Sequence, residues 1–279
     1  MAYERKNYVP KQKFKSEDAN RIEDALCQFY NPNLLINSDF RNPINQRGQT
    51  SYTTSGYTVD RWRTVNATSV TVQEGSIKLE QPSDAQYTGR FKQIFETPLS
   101  GYLTIQVKVL ECTAKTYITQ FDSIPSGFSG IYTYTSANLS SLEAIEFYIA
   151  QGHSITIEWI KLEQGSLATP FVPRHRAEEL ALCRKFYKIV KVCSPCYQHD
   201  STTAYFDVQF YGAMVQKPKV TCSKHSFHKP TGGTVTTKKL EMLSDYDNTH
   251  CLWYATFDTI SSPPSYFRLS ATFIIDAEI

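Results

Sequence analysis

The sequence has no run of about 18 apolar residues, so no helix in it would span a bilayer. Methionine is scarce, at 3 of 279 residues, and Gly-rich phosphate loops are absent. An excess of one charge is missing too: 29 Lys and Arg against 27 Asp and Glu leave a formal +2. That balance offers no electrostatic grip on nucleic acid or on a membrane surface. The 7 cysteines are an odd number without paired local spacings, which argues against a disulfide framework. The charged opening, MAYERKNYVPKQKFK, lacks the apolar centre of a signal peptide, so synthesis in a cytoplasm is expected. The sequons Asn66-Ala67-Thr68 and Asn138-Leu139-Ser140 then read as chance matches.

What is present is aromatic and apolar. Apolar residues make up 41% and aromatics 13%, with 18 Tyr and 16 Phe, which is ample for real cores and excludes wholesale disorder. Tyr, Thr and Phe favour pleated, half-buried surfaces, so composition leans toward β. The length suits two ordinary domains, or one large one with an appendage.

Residues 1–32 differ from the rest. Ser16 can cap a helix with Glu17 and Asp18 in its first turn, and Ala19, Ile22, Leu26 and Phe29 form one narrow apolar stripe. Asn31-Pro32 ends it. So short a helix needs a partner, either the following domain or copies of itself in a coiled coil.

Residues 33–173 read as a jelly-roll β-sandwich. Leu103, Ile105, Val107 and Val109 alternate with polar residues, as do Ile145, Phe147 and Ile149. Val70, Val72, Ile77 and Leu79 flank a hairpin turn at Gln73-Glu74-Gly75-Ser76. After Pro170 and Pro173 a connecting helix is expected over 174–190, acidic at its start and basic at its end. Residues 191–279 return to β, with alternation at Phe206, Val208 and Phe210, at Cys251, Trp253, Ala255 and Phe257, and through Phe267 to Ile275. The fold class expected is therefore mainly β: a short N-terminal helix, a sandwich, a connecting helix and a second, smaller C-terminal β-sandwich.

Motifs that carry chemistry are few. Cys193-Ser194-Pro195-Cys196 has CxxC spacing, but it follows a strand-like run rather than opening a helix, and no second pair completes a zinc site. His225-Ser226-Phe227-His228 has HxxH spacing without a nearby acid and reads as a solvated loop. Nothing resembles a GxSxG nucleophile elbow. No catalytic residue, metal or cofactor is expected. Aromatics in polar stretches are the better lead, because exposed rings stack on the C–H face of a sugar. The glycan-contact candidates are Tyr117 and Phe121 in the sandwich, and Tyr197, His199, Tyr205, Tyr246, Trp253 and Tyr254 in the last domain.

Several segments are similar, in order, to a phage tail-fibre module. They are Asn33-Leu34-Leu35-Ile36-Asn37-Ser38-Asp39-Phe40, then Asn45-Gln46-Arg47-Gly48, then Tyr57-Thr58-Val59-Asp60-Arg61-Trp62. Ile160 to Phe171 resembles the module's closing run, and Glu178 to Tyr187 resembles the lead into a C-terminal β domain, with Ala213 to Thr221 like that domain's second strand. The resemblance implies a homotrimeric, non-enzymatic receptor-binding protein of a bacteriophage or phage-like particle, located in the virion and adhering to host surface carbohydrate; the alternatives are a glycan depolymerase on a tail spike and a purely structural fibre or head-decoration protein. It implies that the N-terminal helix trimerises or joins other tail or baseplate proteins, and that the C-terminal domain is the distal tip. The motif residues also have a structural reading: Trp62 seals the core, Asp60 and Arg61 bridge strands, and Arg47 with Gly48 makes a tight turn. More distantly, Asn37-Ser38-Asp39-Phe40 resembles the first strand of calcium-bearing carbohydrate-binding modules, with Glu158 as the final-strand acid. Arg41 stands where a further acid is usual, which should weaken a calcium site badly.

Overall fold

In the computed structural model, residues 15–20, 22, 31–198, 200, 202–228, 234–257 and 266–278 are described, apart from the side chains at 194–195, 197–198, 244–246 and 266–267. The chain divides into two units, one ending at His175 and one beginning at Arg176. Residues 16–20 and 22 are helical. The Asp18 carboxylate accepts from the Lys15 backbone N–H at 3.3 Å, so Lys15 rather than Ser16 occupies the capping position. Leu26 and Phe29 of the expected stripe lie outside the described residues.

The first unit holds β1 (Ser51–Tyr52), β2 (Gly56–Tyr57), β3 (Arg63–Val65), β4 (Ser69–Gln73), β5 (Ser76–Glu80), β6 (Gly89–Gly101), β7 (Leu103–Cys112), β8 (Tyr117–Ile118), β9 (Gly130–Thr135), β10 (Leu139–Ile149) and β11 (Ser154–Gln164). They form two antiparallel sheets, β1-β4-β5-β11-β7-β9 and β2-β3-β6-β10-β8. The alternating residues of β7 and β10 point into one shared core. At its centre the Trp62 and Phe91 rings stack at 4.7 Å, and Phe40 meets both edge-on. The β4–β5 hairpin closes with Gln73 opposite Ser76, and Gly75 takes φ +76°, which favours glycine there.

The opening and closing motifs meet in space. Asn37 Nδ2 donates to the carbonyls of Ile44 and Asp60, both at 2.8 Å, and Trp62 Nε1 donates to the Asn37 carbonyl. Buried Asp60 accepts from the Gln46 backbone and side chain and faces Arg47 at 3.6 Å. Asn33 bridges to Ile160 and Leu162 of β11. On the same stretch of β11, buried Lys161 and Glu163 pair at 2.9 Å. Lys161 also donates to the Thr169 and Pro170 carbonyls, and the Thr169 N–H donates to Glu163. Phe171 stacks on Trp159 at 4.5 Å, so the closing run folds back along β11 as a clasp.

The second unit opens with the helix α1 (Arg176–Cys183), followed by β12 (Tyr187–Gln198), β13 (Thr203–Gln209), β14 (Lys219–His228), β15 (Thr234–Val235), β16 (Thr237–Tyr246), β17 (His250–Phe257) and β18 (Tyr266–Asp276). The connecting helix is thus shorter than the expected 174–190. Tyr187 already begins a strand because the run Lys188 to Val192 is β-branched and alternating. All seven strands join one antiparallel sheet, β15-β14-β18-β12-β13-β17-β16. Phe227 of β14 and Phe257 of β17 stand four steps apart in that order, about 19 Å if the sheet were flat. Their rings are 5.1 Å apart. The sheet must therefore roll over on itself, and β15 and β16, consecutive in sequence, pair with opposite sides of it. His225 of β14 bonds Thr237 at 2.8 Å across that closure.

Candidate functional site

In the β2-β3-β6-β10-β8 sheet, Phe91, Phe147 and Ile118 stand opposite one another and are buried. Strand parity then sends their neighbours outward. Arg90, Tyr148 and Tyr117 are likewise paired across β6, β10 and β8, and they form a row on the solvent face. The Arg90 guanidinium lies over the Tyr148 ring at 5.5 Å and the Lys115 ammonium over the Tyr117 ring at 5.0 Å. Glu146, on the same face, pairs with Lys92 at 3.0 Å and Arg90 at 3.6 Å.

The loop between β5 and β6 adds Tyr87, which is 58% exposed, close to the 56% of Tyr117. With Asn66, Thr88 and Arg90 these rings line an open groove of about 540 Å³. The loop is held from beneath. Gln81, buried, donates through Nε2 to the carbonyls of Asn66 and Tyr87, each at 2.8 Å, and accepts from Thr68 at 2.9 Å. Asn66 Nδ2 donates to the Thr88 carbonyl at 2.8 Å. Asn66 and Ala67 both take positive φ, 61° and 58°, a conformation that costs non-glycine residues energy and persists only where the surroundings enforce it. A side chain at Gly89 would displace this brace, since a Cβ there would stand 2.2 Å from Gln81 Oε1 and 2.3 Å from Thr68 Oγ1. The groove is a rigid, aromatic, hydrogen-bonding surface, and among the described residues no acid lines it.

The residues singled out from sequence divide. Tyr117 enters the groove. Phe121 packs against the core and meets Tyr134 edge-on at 6.4 Å, so it is a packing residue. Trp253 is a correction: it is 5% exposed, its Nε1 meets Cys251 Sγ at 3.0 Å, and its ring packs edge-on against Phe273. Its own alternation with Cys251 and Ala255 points it inward. Tyr205 and Tyr254 are cross-strand neighbours, half-buried, with ring centroids 6.2 Å apart, and the Tyr254 hydroxyl donates to Glu241. Tyr197 and Tyr246 are placed in β12 and β16, but their side chains, and all of His199, lie outside the described residues. Sequence reasoning missed Tyr148 and Tyr87. Tyr148 was readable as the outward position between Phe147 and Ile149, whereas nothing local shows that Tyr87 meets it.

The weaker motifs resolve by the same parity. Cys193 is exposed and Cys196 buried, because a spacing of three in a strand sends side chains to opposite faces, so they share neither a disulfide nor a metal. Burial pushes the Cys196 thiol up to about 12, while Arg268 Nε donates to Cys193 Sγ. His225 and His228 lie on a strand, not in a solvated loop, and point apart for the same reason. Among the described residues no group of three or more His, Cys, Asp or Glu could hold a metal ion. Arg41 bonds both oxygens of Asp39, at 2.7 and 2.9 Å, and lies 3.9 Å from Glu158, placing a cation between those acids. No helix among the described residues is long and apolar enough to cross a membrane.

No family model matches the chain, and no curated protein matches it. Among solved structures the chain aligns with vicilin from Corylus avellana (hazelnut) at 8% identity, over 82% of this chain and 86% of that one. The TM-score is 0.15, too low for the likeness to carry any argument.

Proposed function

We propose that this protein is a non-enzymatic, glycan-binding attachment protein of the tail-fibre kind, working as a homotrimer on the outside of a phage or phage-like particle. The observation that carries the glycan reading is the groove of Tyr87, Tyr117 and Tyr148 with Arg90 and Asn66 at its edges. Flat rings offer a sugar's C–H face a stacking partner, and the amide and guanidinium offer bonds to its hydroxyls. The braced loop favours binding, since little conformational freedom is lost when a ligand settles on a surface already fixed. Hydrolysis of a glycoside calls for two carboxylates flanking the bond, and among the described residues none lines the groove. Each groove would bind weakly, and threefold repetition on one particle would supply avidity. The N-terminal segment would serve trimerisation or attachment to other tail proteins.

A glycan array on the intact protein, read with its mass in solution, tests this. The expected result is retention of particular oligosaccharides by a trimer, without release of shortened products. Tyr148→Ala and Tyr87→Ala should each weaken that retention by about three- to tenfold, the equivalent of about 1 kcal/mol per stacked ring. A blank array, or variants that bind as the parent does, would refute the groove.

A further inference from the structure

Outside the groove, the second unit contains a buried cation that no acid among the described residues balances. Lys188 in β12 is 6% exposed, and its Nζ donates to the carbonyls of Phe210 at 2.9 Å and Gly212 at 3.1 Å. Those carbonyls flank Tyr211, a non-glycine residue held at φ +51° whose side chain is 84% exposed, the most exposed large aromatic of the chain's described residues. A strained backbone that turns a ring toward water persists only when its surroundings enforce it. Here the Lys188 ammonium holds both flanking carbonyls, and the Phe210 and Met214 N–H groups donate to the Thr249 and Asn248 carbonyls, each at 2.8 Å. Between the α1 face at Leu180 and this loop lies a cavity of about 620 Å³, walled also by Arg184 and Lys185.

Three cations therefore surround one hollow, and among the described residues no acid lines it. Among the described residues no carboxylate pairs with any of the three. Burial lowers the pKa of Lys188, and the charge of Arg184 lowers it further, so the two cations repel without a screening anion. The carbonyls at the end of α1 contribute about half a negative charge, too little to balance them.

We infer that this cavity is a second ligand site, one that takes the anionic group of an acidic sugar, a carboxylate or a phosphate, between Arg184 and Lys185 while Tyr211 stacks on the sugar ring. The sugar part rests on the glycan-binding reading above; the preference for an anion rests on this cavity alone. Guanidinium and ammonium donors to carboxylate or phosphate oxygens form the stronger class of hydrogen bond, and Arg matches such planar or forked acceptors closely.

The test is a ligand-observed NMR titration of the full chain with glucuronate, glucose 1-phosphate, glucose and inorganic phosphate. Glucuronate and glucose 1-phosphate should each bind about tenfold more tightly than glucose, and which of them binds better separates the carboxylate source from the phosphate source. Arg184→Gln combined with Lys185→Gln should abolish that preference; both side chains are exposed, so the fold is not at risk. Tyr211→Ala should weaken both acidic sugars several-fold and leave inorganic phosphate unchanged. Equal affinity for glucose and glucuronate, or a double variant that keeps the preference, would overturn the site. Inorganic phosphate binding as tightly as glucose 1-phosphate would overturn its sugar component. Tyr148→Ala separates the two readings: acidic sugars that still bind this variant, beside a blank glycan array, would leave this cavity standing and the groove refuted.

Discussion

The two units build hydrophobic interiors from similar strands by different closures. The first sets two sheets face to face, and a Trp62–Phe91–Phe40 cluster fills the space between them. The second has one sheet that rolls until Phe227 meets Phe257. Their candidate sites differ accordingly. In the first unit, hydrogen-bonded register sets three side chains in line across neighbouring strands, so the sheet itself holds the platform. In the second, a loop presents Tyr211, and a buried ammonium holds the loop together with backbone bonds from Phe210 to Thr249 and from Met214 to Asn248.

The sharpest test of that division is a cavity in each interior. Trp62→Ala should destabilise the first unit by about 3–5 kcal/mol, and Phe227→Ala the second by a similar amount, as emptied aromatic sites do. The two clusters of buried residues are separate, so each change should move only its own calorimetric transition. One shared transition, lowered alike by both variants, would break the comparison.

The two buried lysines sharpen it further. Lys161 faces a carboxylate that is itself fully buried, so Lys161→Met should cost about 3–5 kcal/mol in urea unfolding by stranding Glu163. Adding Glu163→Leu should recover most of it. Lys188→Met leaves only two carbonyls without a donor and should cost about 1–3 kcal/mol. A costlier loss at Lys188 than at Lys161 would contradict the account of both.

The smallest effect concerns thiols. Iodoacetamide at pH 8 should modify Cys193 in the folded protein and spare Cys196 and Cys251, as mass spectrometry of the peptides can read. Burial raises the last two to about 12 and about 11. Thiols whose folded pKa exceeds the ordinary value near 9 favour the fold fully below pH 9. That contribution disappears as pH rises through about 11 to 12. Denaturation of the second unit should therefore become easier across that alkaline window, and substitution of both cysteines by alanine should flatten the dependence.

Much of this was legible without coordinates. Alternation marked β7, β10, β17 and β18, and the same alternation placed Trp253 inside with Cys251, Ala255 and Phe257, which overrides its appeal as an exposed ring. Parity likewise separates Cys193 from Cys196 once the run before them is read as strand. The aromatic groove was half legible: Tyr117 was singled out, and Tyr148 occupied an outward position in plain view. Their contact was not, because they are distant in sequence and only β8 pairing with β10 brings them together. Gly89 and Gln81 gave no local sign of bracing a loop, because the crowding at 89 comes from Gln81 at the loop's start and from Thr68, which arrives from another segment.

The order of residues alone determined that this chain would be mainly β, where its strongly alternating strands would run, and which face of each would be apolar, because side chains alternate along an extended backbone whatever surrounds them. Only the folded arrangement decided which outward rings stand side by side, which lysine lies buried against carbonyls, and which end of the second sheet meets the other. Those outcomes depend on register and curvature, and both are set by contacts between residues far apart in the chain.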